Sequence, residues 1–143
     1  MTNTLFRCDN NTENIVNILD FHILVSEIYN SLNYVKNIIK TTNAPAPIGP
    51  YSQAVKIGNT LYTSGQIAIN PKTGKLEMDS IEIETHQVMK NMEAVLNDAN
   101  MTFDDVVKTS IFILNMDNFS RINEIYGQYF TSNFPARETV EVA

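Results

Sequence analysis

The chain has 143 residues, 43% hydrophobic and 18% charged, which allows one domain with a buried core and leaves too little for two comfortable ones. Sixteen acidic against ten basic residues give a formal charge of −6 and a pI near 4.8, and no two basic residues are adjacent. Nucleic-acid binders present a basic stripe because phosphate neutralisation drives their affinity, so this charge pattern argues against a nucleic-acid partner.

Residues 1–12 are polar and Asn-rich and read as disordered. They lack the basic and continuously apolar blocks of a secretory signal. Scarce Arg, together with Asp9, Glu13, Asp20 and Glu27, argues against a mitochondrial transit peptide and leaves the cytoplasm as the expected compartment. Cys8 is the only cysteine, which excludes an intrachain disulfide and a Cys-rich metal site. From Ile15 to Leu32, apolar residues recur at three- and four-residue steps, so residues 13–33 are expected to form an amphipathic helix, capped by Asn11 or Thr12. A β-prone run from Lys36 to Thr41 follows. The segment Asn43–Tyr51 holds three prolines and a glycine, which forbid helix and interrupt a ladder, so it reads as a stiff loop. Gln53–Ile57 and Thr60–Ser64, separated by Gly58-Asn59, read as a tight hairpin. Asn70-Pro71-Lys72-Thr73-Gly74 is a second turn.

Asp79 with Glu82 has the form of a capping box, opening a helix that buries Ile81, Val88, Met89, Met92, Val95 and Leu96 and ends near Asn100. Val106–Leu114 is almost continuously apolar and reads as a strand buried on both faces. Asp117 is placed to cap a second helix with Phe119, Ile122, Ile125, Tyr126, Tyr129 and Phe130 inside. Thr139–Ala143 alternates and begins another strand. His22 and His86 stand far apart with no ligand pattern near them, as ordinary helix histidines do. No apolar run approaches the length needed to span a membrane. Two amphipathic helices among short strands define a soluble α+β domain with both helices on one sheet face.

Three segments carry more than this: Ala46-Pro47-Ile48-Gly49-Pro50-Tyr51-Ser52-Gln53-Ala54, Tyr62-Thr63-Ser64-Gly65-Gln66-Ile67, and Phe134-Pro135-Ala136-Arg137-Glu138-Thr139-Val140-Glu141-Val142-Ala143. Alone, each has a plain structural account: a proline-rich turn, a strand end, a surface arginine. Together and in this order, with the Asn70–Gly74 turn, the Val106–Thr109 run, Asn123 and Tyr126, they resemble the Rid family, also called YjgF-like proteins. The resemblance covers the chain from about Ile38 to Ala143. It implies a chorismate-mutase-like α+β fold, a mixed sheet with two helices packed on one face, assembled as a homotrimer with sites between subunits. It implies cofactor-independent hydrolysis of reactive 2-imino or 2-enamino acids, such as 2-aminoacrylate, to 2-keto acids and ammonia, a metabolite damage-control activity.

The matched residues suit that chemistry. A small carboxylate in a cleft needs a matching cation, and a guanidinium supplies two parallel donors; Arg137 takes this role by the match. Fixing the carboxylate fixes the imine carbon relative to an attacking water. Tyr51 offers an aromatic wall and a hydroxyl. Ser64 and Gly65 bring backbone close to the ligand, Asn123 offers donor and acceptor at the rim, and Thr139 matches a position that helps seat the substrate. Two features depart from the family pattern. Family members continue through a short loop into a final strand bearing a water-orienting glutamate, for which neither Glu138 nor Glu141 is the match, so residues 36–143 read as a Rid-type domain lacking that strand. Residues 1–35 form an atypical extension. A non-catalytic trimer binding small carboxylates stays open as a second reading. An endoribonuclease or translation inhibitor, a label the family has carried, is a third, against which the acidic charge argues.

Overall fold

A computed structural model describes residues 35–143; the expected helix over 13–33, and Cys8 and His22, lie outside the described residues. The first ladder is antiparallel: β1 (Lys36–Ile39), β2 (Ala54–Ile57) and β3 (Thr60–Thr63) in that order. β2 and β3 close on the expected two-residue turn, with Ile57 opposite Thr60 and Gly58 at φ 55°. Only the first central residue needs the left-handed region, as in a type II′ turn, and glycine occupies it without the clash a Cβ brings. The second turn also forms. Gly74 N–H donates to Asn70 C=O at 2.8 Å, and the Asn70 side chain accepts from Lys72 N–H at 2.9 Å.

Helix α1 (Ile81–Asp98) starts one residue later than the capping-box pattern indicated. Ser80, rather than Asp79, is its N-cap, with Oγ accepting from Ile83 N–H at 3.3 Å. Its end follows the expectation closely. Asn100 sits at φ 56°, Met101 N–H donates to Leu96 C=O, and Asn100 N–H donates to Asn97 C=O, the paired bonds of a Schellman motif. Val95 of α1 and its C-cap Ala99 bury against Ile39, Ala44 and Ala54, with Leu61 at the margin, so this half of the helix covers the three-stranded ladder.

Helix α2 (Phe119–Tyr129) packs beside α1. Met89 of α1 joins Tyr126 and Phe130 in a second core cluster, flanked by Phe103, Val106, Ile111 and Tyr129. His86 is indeed a helix-face histidine, with Nδ1 3.0 Å from the Tyr129 hydroxyl. Asp117 does not cap α2. It lies in a 3-10 turn, Met116–Asn118, whose start is capped by Asn115 Oδ1, and Asn118 precedes the helix.

Beneath α2, β4 (Lys108–Ile113) and β5 (Ala136–Glu141) pair in parallel, Thr109 opposite Arg137 and Ile111 opposite Thr139. The expectation that Val106–Leu114 is buried on both faces fails within this chain. Exposure alternates along β4, with Phe112 67% exposed and Ile113 8%. The helices cover one face only, and the other carries Phe112 opposite Val140. On the first ladder, Ile38, Val55 and Tyr62 likewise line up across the strands on the face opposite the core residues Ile39, Ala54 and Leu61. Among the described residues, no helix is long and apolar enough to cross a membrane.

Candidate functional site

Alternation along β5 places Arg137 and Thr139 on one face, about 6.6 Å apart along the strand. That is the face α2 covers. The Arg137 guanidinium lies 4.8 Å from the Tyr126 ring centroid and 5.5 Å from that of Phe119. Phe119, Asn123 and Tyr126 are spaced by four and three residues, so the three share one helical face, on which Asn123 is exposed. Tyr126 is itself fixed. Its hydroxyl is 2.9 Å from Thr109 Oγ1 on β4, and its ring stacks on Phe130 at 4.5 Å. Thr109 and Arg137 are register partners, so strand pairing and helix packing together set where the guanidinium lies.

The arginine is held by π-faces rather than by a counterion. Among the described residues the ion pairs are Lys108–Glu138 at 3.0 Å and Arg121–Glu82 at 2.6 Å, and Arg137 belongs to neither. Glu138, next in sequence, points to the opposite face, where the Ser110 hydroxyl and then Lys108 hold its carboxyl below the usual range. Stacking satisfies the faces of a guanidinium and leaves its in-plane N–H donors for an anion. Thr139 adds a second unmet need: its buried Oγ1 has no hydrogen-bond partner among the described residues. Buried hydroxyls nearly always find one, so Thr139 Oγ1 stands out on the strand face that also carries Arg137.

The other expected residues form a separate group at the first ladder. Tyr51 is half exposed, and its hydroxyl accepts from Ile48 N–H at 3.4 Å, so the ring folds back over its own loop. Ser64 is tied at both ends, Oγ donating to Ser52 C=O at 2.6 Å and N–H to Gln53 C=O at 2.9 Å. A Cβ built on Gly65 would meet nothing within 4 Å, so no contact within this chain requires glycine there. The structure thus places Arg137 and Thr139 on one face of β5 and Asn123 on the face of α2 that carries Phe119 and Tyr126, while Tyr51, Ser64 and Gly65 lie at the first ladder. Two surface depressions along α1, around Asn43 and Lys90, touch none of the six expected residues. Sequence reading placed Phe119 and Tyr126 in the core and gave Thr109 no role. The four- and three-residue spacing around Asn123 was the available signal that the rings and the amide share a face.

The described residues form a small α+β unit that holds Arg137, unpaired among them, on an aromatic platform. The chain belongs to the Rid (YjgF-like) family: a family model described as endoribonuclease L-PSP matches residues 41–143. It is 45% identical over 109 residues to the Homo sapiens 2-iminobutanoate/2-iminopropanoate deaminase, covering 76% of this chain and 80% of the relative. Among solved structures it resembles YyfA of Yersinia pestis, a Rid protein (TM-score 0.74, 55% identity, 76% of this chain and 86% of that one). It also resembles E. coli TdcF with bound serine (TM-score 0.71, 35% identity, 74% and 85%).

Proposed function

We propose that the protein hydrolyses 2-imino and 2-enamino acids of the 2-aminoacrylate kind to 2-keto acids and ammonia, without a cofactor. The observation that carries this reading is the uncompensated Arg137 guanidinium beside the orphan Thr139 hydroxyl on one strand face. Relatives named 2-iminobutanoate/2-iminopropanoate deaminase support the reaction class. Arg137 receives the carboxylate through its in-plane donors. Thr139 and Asn123 address the polar substituent on C2, and Tyr51, Ser64 and Gly65 form a second wall. The enamine first tautomerises to the imine. Water then adds to C2, the C2–O bond forms, and collapse of the carbinolamine breaks C2–N and expels ammonia. The imine carbon is already electrophilic, so positioning and charge complementarity suffice.

Homotrimerisation supplies the second wall in this reading, Tyr51, Ser64 and Gly65 of one subunit meeting Arg137 of the next. The apolar rows Ile38–Val55–Tyr62 and Phe112–Val140, left uncovered by the helices, are the contact surface that trimers would bury. The test is release of pyruvate and ammonia from 2-aminoacrylate generated in situ by a pyridoxal-phosphate lyase. Decay no faster than the uncatalysed rate refutes the reading. A second reading, a trimer that binds small carboxylates without turnover, draws on the serine bound by TdcF. Saturable pyruvate binding with no rate enhancement would select it.

A further inference from the structure

Among the described residues, the buried polar side chains are Gln53, 3% exposed, and Asn91, 0% exposed. Both are used on the backbone of the segments that carry Tyr51, Ser64 and Gly65. Gln53 Oε1 accepts from Thr41 N–H at 2.8 Å, while the two protons of Nε2 are shared among the carbonyls of Thr41, Ala44 and Pro45 at 3.0, 3.3 and 2.8 Å. Pro45 and Pro47 have no N–H, so the loop cannot close these carbonyls with a ladder of its own. One amide does it instead. The backbone of the same residue accepts Ser64 N–H, and the neighbouring Ser52 carbonyl accepts the Ser64 hydroxyl. Gln53 therefore joins the loop of Tyr51 to the strand end of Ser64-Gly65. Asn91 of α1 fixes the far side, Nδ2 donating to the carbonyls of Ile67 and Ile69, both at 2.9 Å, while Oδ1 accepts from Gln87 Nε2.

We propose that Gln53 and Asn91 are positioning residues for the reaction: they hold the Tyr51–Ser64–Gly65 wall at the distance the substrate needs. The inference rests on the deaminase reading. A core filler would serve by volume. These amides serve by direction, because their partners are main-chain carbonyls that no apolar replacement can satisfy.

The experiment compares Gln53→Met and Gln53→Glu with Val95→Ala, a core truncation that makes no hydrogen bond to either segment, all assayed well below their melting temperatures. Met keeps the length and loses all four bonds. Glu keeps the acceptor and sets a carboxylate against three carbonyl oxygens. The expected result is a folded Gln53→Met with kcat down at least tenfold and KM changed less than threefold, since Arg137 on β5 is untouched. Gln53→Glu falls further, and Val95→Ala stays within twofold of wild type. Asn91→Leu repeats the measurement if Gln53→Met does not fold. Wild-type kcat in Gln53→Met, or a loss equal to that of Val95→Ala, overturns the proposal, as does failure of both Gln53→Met and Asn91→Leu to fold. If the wild type shows no turnover, the deaminase reading fails separately. Positioning is then decided by amide hydrogen exchange at Ser64: faster exchange in Gln53→Met supports it, and unchanged protection overturns it.

Discussion

Replacing Arg137 with lysine keeps the charge and removes everything else the structure builds around it. The guanidinium rests on Tyr126 at 4.8 Å and on Phe119 at 5.5 Å, and its planar shape lets it present two parallel N–H donors while stacked. An ammonium offers one point of charge at a different reach. A charge-assisted hydrogen bond contributes about 1.5–3 kcal/mol. Loss of one of two such bonds, with about 0.5–1 kcal/mol of weakened cation–π contact, gives about 2–4 kcal/mol. At about 1.4 kcal/mol per decade, pyruvate affinity should fall roughly thirtyfold to several hundredfold. Arg137→Ala should lose at least as much. The assay is isothermal titration with pyruvate at fixed ionic strength, since a screened surface contact would otherwise mimic the effect. Scattering and melting curves establish that each variant is folded. Pyruvate affinity within twofold of wild type in Arg137→Lys would refute the bidentate carboxylate assignment.

Thr139→Val replaces the orphan hydroxyl with a methyl of similar size; an unsatisfied buried polar group costs about 1–3 kcal/mol, so the melting temperature should hold or rise while pyruvate affinity falls, and a fall in both would show that the hydroxyl has a partner in the folded protein. Phe112→Lys charges the apolar face of β4 opposite Val140 and should turn the proposed trimer into a monomer at micromolar concentration by light scattering, and a trimer that persists in the variant would remove this face from the interface. The Arg121 guanidinium, bonded to Glu82, lowers that carboxyl from 4.5 to about 2. A folded-state value below the unfolded one means the pair stabilises above about pH 4.5 and loses its contribution as pH falls toward 2, so the difference in stability between wild type and Arg121→Gln should shrink over that window and shrink further in salt. A difference that grows on acidification would contradict the pairing.

The parts of the fold legible in the sequence are those settled by neighbours along the chain. Gly58-Asn59 made a hairpin because glycine alone enters the left-handed region freely. Asn100 ended α1 because its short amide tolerates the same region. The helices followed from apolar spacing. Where the sequence misled, a distant partner decided. Phe112 is apolar yet faces away from both helices, and periodicity in a continuous apolar run does not reveal which side is covered. Ser80 outcompeted Asp79 as the cap because its side chain, one position on, reaches Ile83 N–H. The candidate site divides similarly. Arg137, Thr139, Tyr51, Ser64 and Gly65 were marked by motif. The aromatic platform was not read as such: Tyr126 belonged to the matched pattern but, like Phe119, looks like any buried helix face until β5 lies beneath it. Gln53 was part of a motif, but its four bonds depend on how the proline-rich loop returns to it.

The way Arg137 is held bears on throughput. In the proposed function its grip reads a carboxylate, and the reaction never alters the carboxylate. Substrate and product therefore present the same handle, and the site cannot tell by that handle whether the chemistry has happened. Among the described residues no acidic side chain pairs with the guanidinium, so in the proposed reaction none is placed to reclaim it and push the keto acid out. An enzyme built this way runs fast where keto acids are dilute and stalls where they accumulate. Its output would follow the ratio of the short-lived imine to its stable hydrolysis product rather than the amount of imine alone.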